Sequence, residues 1–174
     1  MAKFGEGDPR WIVEHRDDGH NVNGWHWTEK DRTKWAKTFF ENQLCKEYRQ
    51  EEAGGWTYVV KVKSVKSCTG DAVVRNRKGK KVCGYDFQLK LEWEGKVLSS
   101  DLEGDNTDIG ALKGTLEIPE FADDEENFEV LVKCKSITDD VQQKIRNLVD
   151  HTVTEGIRSV LGTFHEALLD CDAR

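Results

Sequence analysis

From Tyr85 to Trp93 the side chains alternate without a break: Tyr85, Phe87, Leu89, Leu91 and Trp93 are apolar, and Asp86, Gln88, Lys90 and Glu92 are polar. A period of two held this long is the mark of an antiparallel strand with one face in a core and the other in water. A basic run precedes it, Arg75, Arg77, Lys78, Lys80 and Lys81, with Gly79 inside. Glycine reaches positive φ without steric penalty, so the run is expected at a hairpin tip, with residues 72–74 leading in and 82–93 leading out. The cations are then displayed at the end of a rigid element whose core face does not involve them.

The rest of the chain supplies what such a strand needs to be covered. Thr28 with Asp31 three residues on reads as a capping box, and Ala36, Phe40, Leu44 and Tyr48 recur every four residues, widened by Trp35 and Phe39. This predicts a helix over about 28–52 that packs on something broad and is stopped by Gly54-Gly55. Residues 56–66 read as a strand with Trp56, Tyr58, Val60 and Val62 on one face, and Cys68-Thr69-Gly70-Asp71 as the turn after it. Glu94-Gly95 reads as another turn, residues 96–100 as a short strand, 101–108 as an acidic loop, and 109–118 as a strand ended by Pro119. An acidic loop over 123–126 leads to Phe128, Val130, Val132 and Cys134, which alternate again. Thr138-Asp139-Asp140 opens a second helix whose apolar face runs through Val141, Ile145, Leu148, Thr152, Ile157, Val160, Phe164 and Leu168. The expected architecture is α+β: an N-terminal helix, a four-stranded antiparallel meander and a long C-terminal helix packed on the sheet. Residues 1–174 form a single domain in this reading, with residues 1–20 partly mobile.

Composition bounds the function. A chain of 174 residues with 37% hydrophobic and 34% charged residues is globular, with no apolar run near the roughly 20 residues a membrane span needs. The first ten residues are polar and carry acids, unlike a secretory signal. Five cysteines, an odd number, widely spaced and without a C-x-x-C pair, point to reduced thiols in a cytoplasmic protein and away from a metal site. The formal net charge of −7 is unevenly spread. Residues 61–90 hold nine Lys and Arg against Asp71 and Asp86, whereas residues 101–140 hold thirteen Asp and Glu against three Lys. The acidic part repels phosphate, so the dipolar whole suits a protein partner with complementary patches better than nucleic acid.

No catalytic pattern emerges. The five histidines form no H-E-x-x-H, there is no G-x-S-x-G, and Arg77-Lys78-Gly79-Lys80-Lys81 lacks the upstream glycine and the Ser or Thr of a phosphate-binding loop. Neither a cofactor nor a metal is expected. Two stretches stand out as binding candidates, the tip residues Arg77, Lys78 and Lys80, and the run Asn21-Val22-Asn23-Gly24-Trp25-His26-Trp27. Each has a bland reading. The tip can be a solvated, aggregation-resistant turn, and the tryptophans can anchor an ordered loop that leads into the first helix, with the asparagines satisfying its backbone. A nucleic-acid or nuclear-import adaptor would use the same basic run, but it would want exposed aromatics interleaved with the cations. A lipid carrier would need a surplus of apolar residues that this chain lacks.

The opening Gly5-Glu6-Gly7-Asp8-Pro9-Arg10-Trp11-Ile12-Val13, the Asn21 to Trp27 run and the tip Asn76-Arg77-Lys78-Gly79-Lys80, in that order, resemble the N-terminal domain of the activator of heat-shock protein 90 ATPase. The resemblance spans nearly the whole chain. It implies a co-chaperone, not an enzyme, that docks as a monomer along the middle segment of the chaperone. Arg77, Lys78 and Lys80 would then lie near the chaperone's catalytic loop and help release it, so that a chaperone arginine reaches the ATP γ-phosphate. Asn21, Asn23, Trp25, His26 and Trp27 would act through the nucleotide cycle. The family's loop usually reads N-x-N-N-W-H-W, and this chain has Gly24 in place of the second adjacent asparagine. Members often carry a second, C-terminal domain with no counterpart here, which makes this sequence a fragment or a short form with weaker activation expected.

Overall fold

The computed structural model describes residues 25–99, 109–124 and 127–171. The predicted mobile N-terminus, Asn21, Asn23, Gly24, the acidic loop over 101–108 and half of the acidic loop at 123–126 lie outside the described residues. Within them the architecture is α+β, with helices on one face of an antiparallel sheet. That sheet has six strands where four were expected. They are β1 (Thr28–Asp31), β2 (Glu47–Glu52), β3 (Trp56–Arg77), β4 (Lys80–Ser99), β5 (Ile109–Ala122) and β6 (Leu131–Cys134). Their order is β1-β3-β4-β5-β6, with β2 sharing the β3 edge with β1.

The first helix, α1, covers Thr33–Leu44 and is shorter than predicted at both ends. Thr28 does not cap it. It belongs to β1 and stands opposite Asn76, while Asp31 takes the capping role by accepting the Thr33 backbone N–H at 2.8 Å. At the other end the chain turns at Cys45, whose φ of −79° and ψ of 73° form an inverse γ-turn with Lys46 N–H donating to the Leu44 carbonyl at 2.9 Å. Tyr48 therefore lies on β2 rather than on a helical turn. Glu47–Glu52 is pulled into the sheet because the β3 edge offers a full ladder from Lys61 to Trp56. Gly54 and Gly55, at φ of 107° and 77°, shape the hairpin between β2 and β3 rather than ending a helix. Ala36, Phe40 and Leu44 are buried as expected.

Two predicted turns are strand interior. Cys68-Thr69-Gly70-Asp71 continues β3, and Glu94-Gly95 continues β4, so one long hairpin replaces four short pieces. Both glycines serve close approach. A Cβ on Gly70 would overlap the Asp86 carbonyl oxygen of the facing strand and lie 2.8 Å from Phe87 Cα, and a Cβ on Gly95 would overlap a methyl of Ile145. Pro119 does not end β5. Ile118 pairs with Leu89 and Phe121 with Phe87, so Pro119 and Glu120 stand together opposite Gln88, a bulge that needs no N–H from proline.

After β6 the chain is helical from Asp140 to Asp170 but for a turn at Thr163: α2 (Asp140–Leu148), a π segment (Val149–Val153), α3 (Thr154–Gly162) and α4 (Phe164–Asp170). Asp139 caps its start by accepting the Gln142 N–H at 2.7 Å. The π segment holds one residue more than α-periodicity allows and shifts the apolar face, so Val149 and Val153 are buried and Thr152, predicted on that face, is exposed. Ile145, Leu148, Ile157, Phe164 and Leu168 are buried as predicted. Phe164 meets Phe40 at 4.8 Å between ring centroids and Phe40 meets Phe87 at 5.1 Å, which ties α1, α4 and β4 into one aromatic core.

Candidate functional site

The sheet's open face carries charges that largely cancel. Lys63 and Lys113 flank Glu94, Lys66 meets Glu92 at 2.6 Å, and Lys90 and Lys133 flank Glu117. These lysines hold the carboxyls of Glu92 and Glu117 below their ordinary range. The basic stretch over 61–90 therefore splits in two. Lys63, Lys66 and Lys90 are neutralised across strands, and apart from Lys61 the cations that remain lie in the last residues of the hairpin and at its tip.

That tip is a two-residue turn. Arg77 pairs with Lys80, and Lys78 and Gly79 between them have φ of 52° and 79°, the type I′ arrangement whose twist matches the flanking strands. Gly79 fits its place without cost. Lys78 does not, and it is the one non-glycine residue with positive φ among those described. A left-handed side-chain residue costs roughly 1–2 kcal/mol, so something must repay the strain or use it.

The second candidate stretch is brought to the same place. Residues 25–27 lead into β1 rather than into a helix, and β1 runs antiparallel to the last residues of β3, Thr28 opposite Asn76 and Glu29 opposite Arg75. Thr28 Oγ1 donates to the Asn76 carbonyl at 3.2 Å, and Arg75 meets Glu29 at 2.7 Å. Just beyond that ladder the Arg77 Nε donates to the Trp25 carbonyl at 2.8 Å, and its guanidinium lies 5.8 Å from the Trp27 ring centroid. The Lys78 ammonium lies 3.3 Å from the centroid of the Trp25 ring. Trp25 and Trp27 do not anchor the loop in the core, since 56% and 51% of their surfaces are exposed. Their rings are held by cations instead.

Of the predicted site residues, Arg77, Lys78, Trp25 and Trp27 form one cluster. His26 lies between the two tryptophans and is exposed. Lys80 opens β4, and its side chain makes no hydrogen bond, ion pair or ring contact among the described residues, whereas the side chain of its neighbour Lys81 donates to the Leu169 carbonyl at 3.1 Å. Val82 was not singled out, yet it is 43% exposed beside the tip. The signal was available: Val82 sits on the polar phase of the Tyr85 to Trp93 alternation, where an apolar side chain has no core to enter. Among the described residues no group of His, Cys, Asp and Glu could hold a metal ion, and all five cysteines are free thiols. No helix among the described residues is long and apolar enough to cross a membrane.

The geometry can be set beside known proteins. The family described as "Activator of Hsp90 ATPase, N-terminal" matches residues 29–171. The chain is 37% identical over 170 residues to "Activator of 90 kDa heat shock protein ATPase homolog 2" from Mus musculus, covering 97% of this chain and 47% of that protein. It is 32% identical over 111 residues to "Hsp90 co-chaperone HCH1" from Saccharomyces cerevisiae, covering 64% of this chain and 71% of that protein. The chain thus spans about half the length of the mouse relative. Two solved structures share the fold. Aha-1 from Plasmodium falciparum has a TM-score of 0.64 at 23% identity, over 83% of this chain and 90% of that one. The solution structure of the human Aha1 N-terminal domain has a TM-score of 0.56 at 24% identity, over 82% and 96%.

Proposed function

The chain belongs to the family of activators of the Hsp90 ATPase, and on that footing we propose that it is a co-chaperone that docks on the middle segment of heat-shock protein 90 and speeds its ATP hydrolysis. Arg77, Lys78 and Lys80 act on the chaperone's catalytic loop, while Asn21, Asn23, Trp25, His26 and Trp27 act on its nucleotide cycle. The observation that carries the reading is the tip itself. Cations project from a two-residue turn at the end of the longest hairpin, next to exposed tryptophans, while Lys63, Lys66, Lys90 and Lys133 on the sheet face are paired with glutamates. Such a tip offers a partner a rigid array of charge at little ordering cost. The mechanism is a shift of population: a contact made better to the active chaperone than to the resting one raises turnover by that difference, tenfold for each ~1.4 kcal/mol.

The test is a paired measurement of dissociation constant and maximal stimulated rate for the chain carrying Arg77→Ala and Lys78→Ala. A contact made mainly in the active state lowers the rate at saturation by much more than it lowers affinity. If saturating variant restores the full rate, the tip is only an anchor and the catalytic-loop mechanism is wrong.

A second reading has one observation in its favour. Exposed tryptophans beside Arg77 and Lys78 are also how single-stranded nucleic acid is gripped. The net charge of −7 opposes it. Binding of a labelled single strand at physiological salt, as tight as binding of the chaperone, would favour the adaptor reading.

A further inference from the structure

We propose that Trp25 is a positioning residue for Lys78, so that the tryptophan loop and the basic tip are one functional unit rather than two. This rests on the co-chaperone reading above and goes beyond it. Two independent observations meet at Lys78. Its backbone is the single strained non-glycine position among those described, at φ 52°, and its ammonium sits 3.3 Å over the Trp25 ring. The same Trp25 receives the Arg77 Nε on its carbonyl at 2.8 Å. One residue thus holds both cations, one through its ring and the other through its backbone.

The β1 ladder explains why the clamp can be rigid. Thr28 and Glu29 are fixed against Asn76 and Arg75 by strand pairing and by the Arg75–Glu29 ion pair, so Trp25 arrives at the tip from a fixed point only three residues away. A long lysine otherwise samples many rotamers, and a partner must order it on binding. With the ring beneath it, the Lys78 side chain meets the partner already placed. Lys80, whose side chain makes no hydrogen bond, ion pair or ring contact among the described residues, is left as the adaptable cation of the tip. In this arrangement loss of the ring and loss of the ammonium damage the same thing. Their effects on stimulation must then fail to multiply.

The experiment is a double-variant cycle on the full chain, with maximal stimulated ATP hydrolysis by heat-shock protein 90 as readout. Trp25→Ala and Lys78→Ala each lower the rate, and the double variant falls no further than the worse single one, a coupling of about fivefold, the order of a cation–π contact. Trp25→Phe keeps a π-face and retains most of the rate, whereas Trp25→Leu keeps bulk alone and behaves as Trp25→Ala. If the two losses multiply, or if Leu rescues as well as Phe, the proposal is overturned. A second readout needs no chaperone: ring current must shift the Lys78 ε-methylene protons upfield in the free chain, and Trp25→Leu must return them to ordinary values. Unshifted protons in the wild-type chain would end the proposal. Shifted protons in a chain that leaves ATP hydrolysis unchanged would uphold the clamp and overturn the co-chaperone reading.

Discussion

Ile145 of α2 sits directly over Gly95 of β4, one of its methyl groups filling the space that a Cβ on residue 95 would take. The Val60 Cγ2 closes the same spot at 3.4 Å. Through this contact the C-terminal helix seats near the open end of the long hairpin, where Gly95 stands opposite Val60, far from the tip that the hairpin carries.

Gly95→Ala is therefore predicted to destabilise the chain by overpacking, about 1–3 kcal/mol, or about 2–4 °C of melting temperature for each kcal/mol. Stimulation at saturating chain should be kept, since the tip geometry does not depend on this contact. In combination with Ile145→Ala the cost should be less than the sum of the two single costs, because the shortened residue 145 no longer meets the new Cβ, and that Cβ fills part of the cavity the truncation leaves. Additive losses in denaturant unfolding would show that the two residues do not compete for the same space.

The π segment gives a second test. Val153→Ala removes a fully buried side chain and should cost about 2 kcal/mol or more, while Thr152→Ala on the exposed side should stay within about 0.5 kcal/mol. Urea unfolding of the two variants decides it. A larger loss at Thr152 would restore the uninterrupted α-helical face expected from the sequence.

Lys78→Asn separates stability from function at the tip. Asparagine tolerates positive φ better than lysine, so the variant should gain up to about 1 kcal/mol of stability, while its maximal stimulation of ATP hydrolysis should fall. A rise in melting temperature with stimulation intact would mean that the strained lysine does nothing a turn residue cannot.

Alkaline pH should weaken the fold through Tyr85. Burial, with smaller contributions from Cys83 and Asp123, pushes its phenol up to about 12 from an ordinary value of 10.0. The folded state then keeps a proton that the unfolded chain gives up, so the associated stability is fully present below pH 10 and is lost as the pH rises toward about 12. Because the ring is only half-buried, the loss is of order 1–2 kcal/mol. Tyr85→Phe should flatten stability against pH across that window, and an unchanged slope would assign the effect to other groups.

If the chain docks on the chaperone as proposed, salt should weaken that docking, because the charges at the tip are exposed and are screened beyond about 8 Å at physiological ionic strength. Affinity measured from low to high salt should fall steadily. A flat response would mean that apolar surface such as Val82, Trp25 and Trp27 dominates the contact.

What could be read from the residues alone is what depends on near neighbours in the chain. The Tyr85 to Trp93 alternation placed a half-buried strand correctly because one face of a strand repeats every two residues whatever it pairs with. Gly79 placed the tip because a two-residue turn needs positive φ there. The apolar period of the C-terminal helix and its opening at Thr138-Asp139-Asp140 were legible for the same reason.

Tertiary structure decided the rest. Glu47–Glu52 carries a helical pattern and became a strand because the β3 edge offered its backbone a ladder. Gly70 and Gly95 looked like turns, and their use is to let Phe87 and Ile145 approach, which only the partner's position reveals. Thr152 left the core because one extra residue in the π segment moved the buried face onto Val149 and Val153. The cluster of Trp25 with Arg77, 52 residues apart, exists because β1 pairs with the end of β3. Residue types can nominate both halves of such a site, but its assembly is a matter of strand pairing, and pairing is settled by the free energy of the whole sheet.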